Sequence, residues 1–293
     1  MLIYQTVEEI RQMVKRVRSQ GLTVGFVPTM GYFHEGHLVL MREAKESCDF
    51  VIVSIFVNPL QFGLQEDFAR YPQDLERDLD LAQKAQVDAV FSPTAEEMYP
   101  AGFSTAVEVE GVTESLCGRS RPGHFKGVAT VVAKLFNIVS PDKAFFGQKD
   151  AQQVLVIKRM VRDLQMTLEV VVVPTVREDD GLAMSSRNIF LNPSERKAAL
   201  CLKESLDTAG QIVAGGELNV SEVLSAVRKI IVDEPLAVID YVEILSLPDL
   251  KPVANISGPV LLAMAVRFGR TRLIDNIVLC PGGVSYVFND VKI

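Results

Sequence analysis

Two of the chain's three histidines, His34 and His37, fall in one short segment, Pro28-Thr29-Met30-Gly31-Tyr32-Phe33-His34-Glu35-Gly36-His37. The segment follows a β-rich run at residues 22–27 that is expected to end at Pro28. It opens a stretch with helical spacing at residues 36–45. In an open α/β sheet, ligands bind beyond the carboxyl ends of the strands. A helix N-terminus there presents backbone N–H groups and a positive dipole to phosphate. Imidazoles add donors to the same oxygens, and Gly36 permits close backbone approach. The bland alternative is a pair of surface histidines at a turn. A zinc pair finds no further cysteine or histidine nearby.

Four more segments carry polar groups at places where chemistry is done. Ala183-Met184-Ser185-Ser186-Arg187-Asn188 offers two hydroxyls and a cation after Asp179, Asp180 and Gly181. Such a loop can clamp a triphosphate and follow its charge as pyrophosphate leaves. It reads equally as an interdomain linker. Gly147, Gln148, Lys149 and Asp150 turn from a short apolar run into a helix that carries Gln152 and Gln153. Lys149 suits a phosphate, while Asp150 suits a ribose, a metal or a plain helix cap. Asn58 and Gln61 follow another apolar run and supply neutral donors and acceptors, as would an ordinary turn. Arg119, Arg121, His124 and Lys126 are four cations in eight residues. They fit a carboxylate or phosphate site, or a solvated loop.

The elements that must position these groups alternate. Continuous apolar runs at 49–57, 88–91, 144–146 and 168–173 are separated by helical patterns at 73–85, 127–139 and 150–164. Runs without polar alternation suit strands buried on both faces. The β-α-β rhythm predicts a doubly wound α/β domain with a mostly parallel sheet. Beyond Arg177 the pattern changes. Helices are expected from Pro193 through 198–213 and over 220–232, then β-rich runs at 241–245, 260–266 and 273–279. This predicts a smaller α+β domain. The N-terminus, MLIYQTVEEIRQMVKRVRSQ, reads as an amphipathic helix rather than a signal peptide.

Composition narrows the classes. The chain has 293 residues, 48% of them hydrophobic and 23% charged, enough for a core without staples. Thirty basic against 37 acidic residues give a net charge of −7, which argues against a nucleic-acid binder. The four cysteines form no CxxC pair and suit a reducing compartment. No apolar run approaches the ~18 residues of a membrane span. A soluble, cytoplasmic protein without a membrane partner is expected.

Taken together, these segments resemble the pantothenate synthetase (pantoate–β-alanine ligase) family. Residues 28–38 are similar to that family's form of the HxGH signature of nucleotidylyltransferases and class I aminoacyl-tRNA synthetases. Residues 184–188 resemble the counterpart of the KMSKS-type signature. Residues 54–63, 121–137 and 146–153 resemble further family segments. The likeness runs through most of the first 190 residues.

The resemblance implies a Rossmann-like doubly wound parallel sheet at 1–176, binding nucleotide and pantoate. A smaller α+β domain at 177–293 would act as a lid, hinged at 176–187. It implies ATP-dependent condensation of (R)-pantoate with β-alanine through pantoyl adenylate, releasing pyrophosphate and AMP, and a homodimer. His34, His37 and Lys149 would be catalytic. Met30, Gly31, Tyr32, Phe33, His34, Glu35, Gly36, His37, Gly147, Gln148, Lys149, Asp150, Val176, Met184, Ser185, Ser186 and Arg187 would hold ATP. Gln61 and Gln153 would hold pantoate, with Gln61 also near β-alanine, and Asn58 and Arg121 are secondary candidates. Mg²⁺ would ride on the ATP oxygens, so no protein metal cage is expected.

Two departures stand out. Tyr32-Phe33 replaces the small–aliphatic pair usual before the first histidine and is expected to pack beside the helix start. The KMSKS-type lysines are absent, with Ala183 before Met184 and Arg187 carrying the charge. Competing readings are a nucleotidylyltransferase acting on a phosphate ester, a class I synthetase and a non-catalytic nucleotide sensor. The first needs a second phosphate subsite, where Gln61 and Gln153 are neutral. The second lacks an anticodon module.

Overall fold

The computed structural model describes residues 1–63, 68 and 71–285. Residues 286–293, the tail of the predicted C-terminal domain, lie outside them. The chain forms two compact units. The first comprises Met1–Glu110, Arg121–Gly147 and Gln153–Val173. The second comprises Gly111–Ser120, Gln148–Gln152 and Pro174–Ile293.

The first unit holds six strands: β1 (Leu2–Tyr4), β2 (Val24–Thr29), β3 (Phe50–Ile55), β4 (Ala89–Phe91), β5 (Lys143–Gly147) and β6 (Glu169–Val173). They form one sheet in the order β1-β4-β3-β2-β5-β6, with every pair parallel. Both faces are covered, as a parallel sheet requires. Val27, Val51, Val53 and Phe145 meet Leu40, Met41 and Ala44 of α2 (Glu35–Ser47) and Ala82 of α3 (Leu75–Lys84). On the opposite side, Phe26 meets Phe136 of α6 (His124–Val139) edge-on, with ring centroids 6.4 Å apart.

The connections leave β2 toward β3 and β5 toward β6, so the sheet reverses direction between β2 and β5. Their ladder is short. It pairs only Gly25 with Lys143 and Phe26 with Ala144, although β2 continues to Thr29 and β5 to Gly147. The strands therefore part at their carboxyl ends, which opens the crevice expected at such a reversal.

Pro28 lies inside β2 rather than ending it. Thr29 O accepts from Phe56 N at 3.1 Å, so Thr29 faces β3. By alternation Pro28 faces β5, where the ladder has already stopped and no N–H is needed.

The first residues also depart from the expected helix. Leu2–Tyr4 pair with β4 as an edge strand, and α1 (Val7–Ser19) begins only after Thr6. Thr6 and Glu9 form a reciprocal capping box that fixes this start. Two short helices were not foreseen: α4 (Ala95–Met98) in the first unit and α5 (Leu116–Ser120) in the second. α6 starts at His124, earlier than residue 127.

The second unit packs helices on one face of an antiparallel sheet. Its strands are β7 (Ala237–Ser246), β8 (Val260–Phe268), β9 (Thr271–Cys280) and β10 (Gly283–Ser285), in the order β10-β9-β8-β7. Helices α8 (Pro193–Ala199), α9 (Cys201–Ala214) and α10 (Val220–Val232) supply Leu202, Leu206, Val213, Val223, Val227 and Ile231 to the core. β8 answers with Val260, Leu262, Met264, Val266 and Phe268, every second residue. α7 (Ala151–Asp163) begins in this unit and continues into the first. Among the described residues no helix is long and apolar enough to cross a membrane.

One close approach in the first unit tolerates no side chain. A Cβ on Gly127 of α6 would stand 2.2 Å from Leu60 O and 2.6 Å from Gln61 Cα. Both obstacles are backbone of the turn Pro59–Gln61. Gly127→Ala must push helix and turn apart, at a cost of about 1–3 kcal/mol. Urea denaturation should show that loss; an unchanged midpoint would refute the packing.

Candidate active site

His34 is the N-cap of α2 and His37 its third residue. That spacing stacks the two imidazoles over the helix N-terminus, with ring centroids 4.1 Å apart. His34 N donates to His37 Nδ1 at 3.3 Å. A backbone amide can only donate, so Nδ1 is an acceptor and the neutral ring carries its proton on Nε2. His37 is thus a donor through Nε2–H, a group whose chemistry suits a phosphate oxygen. Phe33 is fully buried and packs against the His37 ring at 5.5 Å, which is what the Tyr32-Phe33 departure was expected to do.

The turn before α2 is held from a distance. Asp78 of α3, 1% exposed, accepts Tyr32 N at 2.6 Å and Phe33 N at 2.7 Å, one on each carboxylate oxygen. Arg77 donates to Phe33 O at 2.9 Å, and its guanidinium lies 5.2 Å from the centre of the Tyr32 ring. Burial pushes the Asp78 carboxyl up, against the two amide bonds that favour its ionised form. Gly31 is obligatory here. Its φ is +80°, and a Cβ would stand 2.9 Å from Asp78 Oδ2. The amides of Tyr32 and Phe33 are consumed by Asp78, so this stretch gives shape to the site while the histidines supply its donors.

Asn58 and Gln61 form the adjoining wall after β3. Asn58, 1% exposed, donates to Gln61 Oε1 and to Gly127 O, both at 3.1 Å. It accepts from Tyr99 Oη at 2.8 Å and Leu60 N at 3.3 Å. With these bonds Asn58 serves as the frame for Gln61. Gln61 Nε2 points at Met30 Sδ, 3.1 Å away, a weak acceptor that a substrate oxygen can displace. Met30, Asn58 and Gln61 are thereby brought together with the histidine turn.

Arg121 supports the same residue. Its Nη1 donates to His124 Nε2 at 2.9 Å, which leaves the ring proton on Nδ1 to donate to Gln61 O, also at 2.9 Å. The four-cation cluster divides otherwise. Arg119 pairs with Glu243 and Lys126 with Glu108. Gln153 sits in the first turns of α7, half-buried.

The remaining expected residues lie in the second unit, apart from Gly147, which ends β5. Gln148–Asp150 make a single 3-10 turn before α7. Desolvation holds the Lys149 ammonium below the usual lysine range; Asp150 opposes this and Arg187 adds to it. Lys149 and Arg187 therefore lie within each other's field. Met184 N donates to Val176 O at 3.0 Å, joining the two ends of the hairpin-like segment. Ser185 caps the turn Ser186–Phe190 through Arg187 N at 3.2 Å. Asn188 donates to Glu178 Oε1 at 2.6 Å and to Ala183 O at 3.1 Å, shaping the loop from inside. Among the described residues no group of three or more His, Cys, Asp or Glu could hold a metal ion.

The first unit thus carries a strand-end crevice with two histidines at a helix N-terminus, and the second carries the Met-Ser-Ser-Arg loop. The sequence matches the Pantoate-beta-alanine ligase family over residues 2–278. The chain belongs to that family. It is similar to the pantothenate synthetase of Pelotomaculum thermopropionicum, 63% identical over 95% of this chain and 99% of that protein. It is similar to that of Carboxydothermus hydrogenoformans, 58% identical over the same shares. Among solved structures, pantothenate synthetase from Thermus thermophilus superposes with a TM-score of 0.90 at 49% identity, covering 94% of this chain and 99% of that one. The Francisella tularensis pantoate-beta-alanine ligase, complexed with beta-gamma ATP and beta-alanine, gives 0.79 at 33%, covering 95% and 97%. The chain is an enzyme of the family, a pantoate–β-alanine ligase.

Asp78 was not among the expected site residues. Its only sequence signal is its place one turn before the buried Ala82, a carboxylate on the apolar stripe of α3. Asp78→Ala leaves two buried amides without an acceptor and should cost about 2–4 kcal/mol in urea denaturation. The ring geometry has its own check. Two-bond proton–nitrogen correlation spectra of neutral His37 should show the Nε2–H tautomer; a proton on Nδ1 would contradict the His34 N contact.

Proposed function

We propose that the ligation runs through two half-reactions and that the residues above divide the work. In the first, a pantoate carboxylate oxygen attacks the α-phosphorus of ATP. The bond from that phosphorus to the β-bridging oxygen breaks, and pyrophosphate leaves. In the second, the β-alanine amine attacks the acyl carbon of the adenylate, loses a proton and expels AMP by cleavage of the acyl C–O bond. A carboxylate is a poor acyl donor until its oxygen belongs to a good leaving group, and AMP makes it one.

The observation that carries this reading is the His34–His37 pair at the N-terminus of α2, its rings 4.1 Å apart and His37 Nδ1 accepting from His34 N. In-line displacement at phosphorus asks mainly for positioning and for donors where negative charge grows. His34 and His37 meet the phosphates, and His37 gives a hydrogen bond to the departing pyrophosphate. Met30 through His37 line the nucleotide. Lys149 contacts the α-phosphate, and a lysine held below its usual range by desolvation binds an incoming anion without surrendering a full water shell. Gly147, Gln148, Asp150, Val176 and Met184 through Arg187 complete the ATP contacts. Gln61 and Gln153 take pantoate, with Gln61 also toward β-alanine. Asn58 and Arg121 act through Gln61, whose side chain and carbonyl they respectively hold.

Mg²⁺ enters with ATP as part of the substrate, neutralising phosphate charge. Four free cysteines support a reducing, cytoplasmic setting. The family resemblance supports a homodimer.

The test is exchange of labelled pyrophosphate into ATP, with Mg²⁺ and pantoate, before β-alanine is added. Exchange should require pantoate. His37→Ala should slow it by about 100–1,000-fold, the usual effect of removing one donor to developing charge. Ligation without any pantoate-dependent exchange would overturn the adenylate route.

A further inference from the structure

β9 reads Thr-Arg-Leu-Ile-Asp-Asn-Ile-Val-Leu-Cys, an apolar strand interrupted by two successive polar residues, Asp275 and Asn276. Both are buried, at 2% and 5% exposure. β8 pairs along the strand, setting Met264 opposite Asp275 and Ala263 opposite Asn276, while β10 pairs only with Val278–Cys280. Successive side chains leave a strand on opposite faces. The two residues therefore serve different neighbours, and both neighbours are segments expected to touch ATP.

Asn276 directs its amide nitrogen at two consecutive carbonyls, Gln148 O at 3.0 Å and Lys149 O at 2.9 Å. Both amide hydrogens are thus spent on the backbone from which the Lys149 side chain leaves. Asp275 grips Arg177 through both oxygens, at 2.6 and 3.0 Å. Arg177 also donates to Gly181 O at 3.1 Å and bridges Ala183 through its backbone. That bridge flanks the Met184 N to Val176 O bond, so Asp275 sets the base of the Met184–Arg187 loop. Asn276 N donates to Asp275 Oδ1 at 2.8 Å, which couples the two grips. A buried carboxylate in an apolar strand is tolerated only when paired and hydrogen-bonded, and a buried amide only when its hydrogens are used.

We propose that Asp275 and Asn276 are a positioning pair for the nucleotide, Asn276 setting the Lys149 turn and Asp275 setting the Met184–Arg187 loop. The pair touches no substrate and acts through Lys149 and Arg177. This rests on the ATP roles given above to Lys149 and to the Met184–Arg187 loop.

A double-mutant cycle tests it. Asn276→Ala should lower kcat for pantoate-dependent pyrophosphate exchange by roughly 10–100-fold, the cost of misplacing a reacting contact. The KM for ATP should rise and the KM for pantoate stay within about twofold. In a Lys149→Ala background the same change should cost less than about threefold, because the residue it positions is already gone. Asn276→Ser, which keeps one donor, goes through the same cycle, so a poorly folded alanine variant leaves a second reading in hand. Full additivity with Lys149→Ala, or equal rises in both KM values, would overturn the pairing and leave Asn276 as a structural residue only. Absence of exchange in the unsubstituted enzyme would instead sink the adenylate reading itself, so the two failures are told apart.

Discussion

The ladder between β2 and β5 stops after two residue pairs, and the first unit is organised around that stop. Parallel strands gain hydrogen bonds by continuing. Here both strands continue, yet apart, and Pro28, with no N–H, faces β5 where none is needed. The crevice so formed is lined by backbone ends rather than by a long loop. Everything placed beside it is anchored to rigid structure: the histidine turn to α3 through Asp78, the Gln61 turn to α6 through Gly127 and Asn58. The result is a preorganised wall in which few torsions remain to be frozen when substrates arrive.

Charge is handled differently in the two units. Asp78 is buried with only a loose ion pair, a guanidinium nitrogen of Arg77 standing 3.9 Å away. It is stabilised by two amides at short range. Asp275 is buried against a bidentate arginine. Lys149 has neither arrangement; desolvation depresses it, while Asp150 and Asp275 favour its charge and Arg187 opposes it. A desolvated cation gains attraction from an incoming anion, which offsets what burial took from it. The two anchoring carboxylates have theirs already satisfied, which separates groups that hold the site from the group that waits for substrate.

Much of this was legible in the sequence because the governing physics is local. Strands buried on both faces must be continuously apolar, so the β-α rhythm of the first unit and the helix-then-strand order of the second stood out. The His-x-Gly-His spacing was visible because a helix turn brings its members together without help from the rest of the chain. What escaped depended on distant partners. Leu2–Tyr4 became a strand only because β4 offered an edge. α5 is a single short turn tied by Cys117 N to Gln152, 35 residues on. Asp78 looked like one more charge on a solvated helix. Asn58 looked like a turn residue until its four bonds were traced to three separate elements.

The clamp at Asp78 recognises N–H groups, and every residue but proline carries one. The clamp therefore reads the backbone at positions 32 and 33 and not their side chains. The backbone clamp itself is lost at either position only with proline, whereas the Phe33 ring, fully buried against His37, is held by packing as well. The glycine at 31 and the carboxylate at 78, far apart in the chain, thus share one small volume, and neither can grow without displacing the other.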